Sequence, residues 1–231
     1  MRNKALLLLI LFSVKFASCQ QYQQQLFDVA KIRNEDFKKY VSAFELDSIP
    51  FSTYEEMYCR TRIEPSLIKK FVCSDGSCLK DWSGYEIEFS PCKYLLSNAN
   101  YIVLIHDEST DGGTIRKLSI YDYNGVKIDM LEIFAEKPFH GKRQKSEIDY
   151  FEIESVVNKD FVIERKYFEI YAEEWKINNV RYFHGRYIES VYKINTEGKI
   201  ILVSEKDHGK REYAGGRLSS NVFFPRWSVV K

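Results

Sequence analysis

The chain has 231 residues, with 34 basic and 33 acidic side chains, a formal charge of +1 at neutral pH, and 45% apolar residues. The apolar content is enough for a core, and the even charge balance argues against a nucleic-acid-binding protein, which concentrates basic residues. Aromatic residues reach 15%, with sixteen Tyr and sixteen Phe, and rings of this kind pack well across β-strands.

Residues 1–19 follow the plan of a secretory signal peptide. Arg2 and Lys4 precede an apolar run from Ala5 to Val14, and small residues lead to Cys19. The run is too short to span a bilayer, which takes roughly 20 residues. In one reading, Phe16-Ala17-Ser18-Cys19 is a bacterial lipobox with Phe16 in place of the usual Leu, and Cys19 becomes a lipidated N-terminus. In a second, an ordinary peptidase cuts after Cys19; in a third, Cys19 is a structural cysteine. Gln20–Gln25 reads as a polar tether behind that point. Taking Arg2, Lys4 and Lys15 away from the 34 basic residues leaves 31 against 33 acidic ones. Residues 26–231 are expected to form a single α+β domain, with a cysteine-containing helical part over 26–95 and a β-rich part over 96–231.

Residues 26–45 are expected to be helical, with Asn34 as an N-cap and Phe37, Tyr40, Val41 and Phe44 recurring at helical spacing. Pro50 ends that region, and Pro65–Val72 predicts a second short helix with proline in its first turn. The period then changes to two. Strands are expected at 85–89, 101–105, 118–123, 126–133, 150–155, 161–165, 187–194 and 199–203, with an edge strand in the tail over 222–230. Asn124-Gly125 is a strong hairpin signal, and Glu197-Gly198 joins the last long pair. Short N-terminal helices followed by a mainly antiparallel β-meander of about seven or eight strands is the expected architecture. Tyr121–Ile128 and Tyr192–Ile200 are loosely alike, which recurring hairpin chemistry explains.

Cys59, Cys73, Cys78 and Cys92 remain once Cys19 is set aside. An exported chain meets an oxidising compartment, where thiols pair. The Asp75-Gly76 turn signal brings Cys73 towards Cys78, so the expected pairing is nested, Cys73–Cys78 inside Cys59–Cys92. Free thiols and a four-thiolate zinc site are the alternatives; the spacing lacks the second close pair that zinc sites usually show.

Phe37–Phe44 with Ile49-Pro50-Phe51, then Leu118–Asp129, then Tyr192–Ile200, form an order of signals that resembles uncharacterised exported proteins and predicted lipoproteins of the Bacteroidota type. The resemblance implies an envelope location and carries no activity.

His140, His184 and His208 each open a His-Gly-basic tripeptide. Exposed turns are the first reading, with glycine taking positive φ; a ligand-binding rim of loops and a three-histidine metal site are the others. His106-Asp-Glu-Ser109 is expected to be a polar loop leaving a buried strand; a hydrolase acid–base pair there is the sharper reading, without a Gly-x-Ser-x-Gly elbow to support it. Glu152, Glu154, Glu164 and Glu169 alternate with apolar residues and are expected on a solvated sheet face. No catalytic residue, metal or cofactor is assigned. The expected function is that of an envelope-anchored or secreted binding protein, with an envelope protein or ligand as partner and membrane contact through the Cys19 lipid. A hydrolase of envelope or extracellular polymers and a structural lipoprotein are the alternatives.

Overall fold

A computed structural model describes residues 29–47, 49–53, 63–73, 87–95, 100–110, 113–136, 150–177, 180–215 and 228–229. The proposed signal peptide and tether, Cys19, Cys59, Cys78 and His140 lie outside these residues.

Asn34 caps helix α1 (Glu35–Ser42), its side-chain oxygen accepting from the amides of Asp36 and Phe37 at 3.1 Å. Phe37, Tyr40 and Val41 make its buried stripe. The helix ends earlier than the sequence suggests, and Glu45–Asp47 forms strand β1. Strand β2 (Phe51–Ser52) follows, then helix α2 (Pro65–Phe71), which opens on its proline and buries Leu67, Ile68 and Phe71.

The remaining chain is strand after strand. They are β3 (Glu88–Leu95), β4 (Ile102–Thr110), β5 (Gly113–Tyr121), β6 (Lys127–Glu136), β7 (Tyr150–Val157), β8 (Val162–Ile177), β9 (Val180–Ile194), β10 (Ile200–Gly215) and β11 (Ser228–Val229). One eleven-stranded sheet takes them in sequence order from β3 to β11, with β1 added parallel beside β3 and β2 against β7. The α+β class and the antiparallel meander therefore stand, with more strands than the seven or eight expected. Beyond the tail strand, which was expected and is found at Ser228–Val229, the excess is β1 and β2, elements of two or three residues with no period of their own to read.

Hydrophobic burial falls on both faces of the sheet. On one, α1 and α2 cover Phe89, Tyr94, Ile102, Leu104 and Tyr121. On the other, Leu95, Val103, Ile105, Leu118, Ile120 and Ile133 meet Val157, Phe161, Ile163 and Ile194 from the far half of the chain. The sheet curls to allow this. Among the described residues, strands β6 and β7 share a single residue pair, Ala135 with Ile153, while the start of β10 reaches back to β6, where the Ile200 amide donates to Asp129 at 2.9 Å.

Two hairpin turns are built alike. Asp122 accepts from the amides of Asn124 and Val126, and Asn195 accepts from those of Glu197 and Lys199. Gly125 and Gly198 close them at φ +86 and +79. This shared turn is the likeness between the segments around Tyr121 and Tyr192. Gly125 also has no room for a side chain, since a Cβ would stand 2.8 Å from Phe37 and 2.9 Å from Phe71.

No disulfide joins two described residues. Cys73 lies in the helix-side cluster and Cys92 in the inner one. Each carries its sulfur in the disulfide form, and the expected partners, Cys78 and Cys59, are outside the described residues.

Candidate functional site

The His106-Asp-Glu-Ser segment is not a loop. It continues β4, paired with β5 so that His106 stands opposite Lys117 and Asp107 opposite Arg116. Alternation then splits it between two faces. His106 and Glu108 point to the helix side, and Asp107 and Ser109 to the other.

On the helix side, His106 is fully buried and stacked on Phe89 at 4.5 Å. Its Nε2 lies 3.4 Å from Glu108, whose second oxygen accepts from Lys117 at 2.6 Å. Burial pushes the His106 pKa below its ordinary value, against the pull of Glu108. For Glu108, burial alone would raise the pKa; the His106 hydrogen bond and the Lys117 charge outweigh it and hold the carboxyl at about 2. The cluster is thus a neutral imidazole and a paired carboxylate at neutral pH. Tyr40 packs against Phe89 and Tyr121 beside it, and among the described residues Tyr40 Oη, Ser119 Oγ and His106 Nδ1 are buried atoms with no partner in hydrogen-bonding geometry.

On the opposite face, Arg116 grips Asp107 through two hydrogen bonds of 2.7 and 2.9 Å and lies over the Phe134 ring at 5.1 Å. Ser109 bonds Thr114 at 2.9 Å, away from His106. The segment therefore does not assemble a serine, histidine and carboxylate in one place.

His184 and His208 sit where turns were expected and strands are found, and His140 lies outside the described residues. His184 belongs to β9 and His208 to β10. The turn reading is corrected, although Gly209 does take φ +76, at a bulge between Asp207 and Lys210. His208 stacks on Tyr187 at 4.7 Å, and Tyr187 on Phe168 at 4.4 Å, a row of rings across β10, β9 and β8. Glu189 accepts from Tyr187 at 2.6 Å and lies 3.0 Å from His208, and the Tyr187 hydrogen bond, followed by the His208 one, lowers its pKa. His184 stands three residues from Tyr187 along β9, hence on the opposite face, with its ring 6.4 Å from Tyr171. That face carries a second row, in which Arg186 bonds Asp207 at 2.6 Å and approaches Glu169 at 3.8 Å. Lys210 lies over Tyr171 at 4.6 Å.

The four glutamates divide too. Glu164 is exposed, but Glu154 is 4% exposed beside Lys166, so a uniformly solvated face is not what forms. Lys117 and Arg116, the partners that define the β4–β5 clusters, escape a reading by motif because register, not proximity in sequence, brings them in. Among the described residues no three His, Cys, Asp or Glu side chains gather as a metal-ligand set, and no helix is long and apolar enough to cross a membrane.

Comparison with protein-family models, with curated proteins and with solved structures finds no match for this chain.

Proposed function

We propose that the chain is an exported, envelope-associated binding protein without catalytic activity, and that it holds its partner on the outer reach of β8, β9 and β10. The observation that carries this reading is the set of three long strands, of 16, 15 and 16 residues, with side chains fixed on both faces. Among the described residues, β7 pairs with β8 from Val157 with Ile163 to Tyr150 with Ile170, and β8 pairs with β9 as far as Ile177. Both faces near that point carry side chains already fixed by neighbours, the Phe168–Tyr187–His208 row on one and the Glu169–Arg186–Asp207 row on the other. Side chains held in place before contact lose little rotamer freedom on binding, which favours a recognition surface.

The hydrolase reading draws on His106 and Glu108, where a histidine and a carboxylate do meet. Their burial beneath α1 suits a structural network, since a catalytic pair has to reach its substrate. Export and lipid attachment rest on residues 1–19, the resemblance to Bacteroidota-type exported proteins and predicted lipoproteins, and the nested pairing Cys73–Cys78 within Cys59–Cys92 that an oxidising compartment would favour. A Cys19→Ala chain should leave the membrane fraction; unchanged fractionation would remove the lipid anchor from the account. For the binding role, the test is capture from envelope extract. The wild-type chain should retain a specific partner that Tyr187→Ala/His208→Ala loses, and equal recovery by both would count against the β8–β10 surface.

A further inference from the structure

We infer that one water molecule is a fixed part of the contact between α1 and the sheet, bound by Tyr40 Oη, Ser119 Oγ and His106 Nδ1. The three side chains are each 0% exposed, and among the described residues these atoms have no partner in hydrogen-bonding geometry. Buried polar atoms are nearly always satisfied, by protein or by ordered water, because an unmade bond in the interior costs the desolvation of the group. The three also share one neighbourhood. Ser119 stands opposite Leu104 and His106 opposite Lys117, all on the helix side of β4 and β5. Helix α1 lays Tyr40 over that face, its ring 6.1 Å from Tyr121 and 6.5 Å from Phe89, on which His106 is stacked. Burial pushes the Tyr121 hydroxyl up to about 12, while Tyr40 and Ser119, both beside it, pull the other way. Tyr121 itself donates to the Phe71 carbonyl at 3.1 Å, so its proton is already placed.

The chemistry of the three atoms selects water. An ionised Glu108 can only accept, so the His106 Nε2 that faces it at 3.4 Å carries the ring proton, and Nδ1 is an acceptor. Burial, with Tyr121 and Glu108 adding to it, raises the Tyr40 pKa well above its ordinary value, so Tyr40 is a neutral donor. The bound species must therefore donate to Nδ1 and accept from Tyr40, while the Ser119 hydroxyl takes either role. An anion has no proton for Nδ1, and a cation has no lone pair for Tyr40. Water meets all three demands, and three hydrogen bonds are typical of a buried water. It pins α1 to β4 and β5 at a polar point inside an otherwise apolar cluster.

A crystal structure of the purified chain should show electron density for a water within hydrogen-bonding distance of all three atoms. Urea unfolding supplies the second arm. Tyr40→Phe and Ser119→Ala each remove one anchor of the water and should lower the folded-to-unfolded ratio about fivefold. The double variant should lose clearly less than the two single losses combined, because the first change already loosens the shared water. Circular dichroism should show all three variants folded. Without a bridging water, deleting a buried hydroxyl that has no partner would be neutral or stabilising. A direct contact between Tyr40 and Tyr121 in place of the water would make the losses at Tyr40 and Ser119 additive. Either result, or density with no water at the site, would overturn the proposal.

Discussion

At the scale of single residues, Glu108 and Gly125 make the sharpest demands. The Glu108 carboxyl has an ordinary pKa of 4.5 and is held at about 2. Its folded value lies below its unfolded one, so its contribution is complete above pH 4.5 and drains away as pH falls towards 2. A shift of that size corresponds to on the order of 3 kcal/mol. His106 works in the same direction. Burial depresses its pKa from 6.5, so stability also falls as pH drops below about 6.5, where the unfolded chain takes up the proton first. Urea unfolding as a function of pH should therefore show stability declining from pH 6.5 downward. Glu108→Gln should flatten the decline between pH 4.5 and 2, and an unaltered slope there would remove the carboxylate from the explanation. Gly125 is tested differently. Its φ of +86 and the rings of Phe37 and Phe71 against its missing Cβ make Gly125→Ala costly by about 1–3 kcal/mol, visible as a lower denaturation midpoint. A neutral result would mean that the hairpin does not press on α1 as described.

At the scale of elements, what a sequence can announce separates from what only register decides. Asn34 as a cap, Pro65 at the start of α2 and the Asn124-Gly125 hairpin were legible because each is a local device with a local cause. The length of β8, β9 and β10 was not. Gly185 and Gly209 read as turn residues, yet one sits within a strand and the other takes its positive φ at a bulge inside β10. The β4–β5 clusters were hidden for another reason. Nothing near His106 in the sequence points to Lys117, and only the pairing of the two strands sets them side by side. The buried Asp107–Arg116 pair is the clearest test of that register. Arg116→Met takes both guanidinium hydrogen bonds from the buried Asp107 carboxylate and should cost roughly 3–5 kcal/mol, while the joint change Asp107→Leu/Arg116→Met should recover much of the loss. Thermal unfolding of the three variants checks this, and additive losses would show that the two side chains act independently.

At the scale of the whole molecule, a helix-covered and inward-curling half of the sheet is joined to three strands of 15 or 16 residues. The first half gains its stability from burial on both faces, with Tyr40, Tyr94, Leu104 and Leu118 among the side chains removed from water. The second half presents ordered rings and ion pairs, and this division of labour is the reason for assigning recognition to β8–β10. The most direct measurement is site-specific photo-crosslinking in intact cells, with a crosslinking residue at Lys210 on the outer strands and, for comparison, at Lys39 on the exposed side of α1. A discrete heterologous adduct from position 210 and none from position 39 is the predicted result. No adduct from position 210, or equal yields from both positions, would contradict the assignment of the partner to the outer strands.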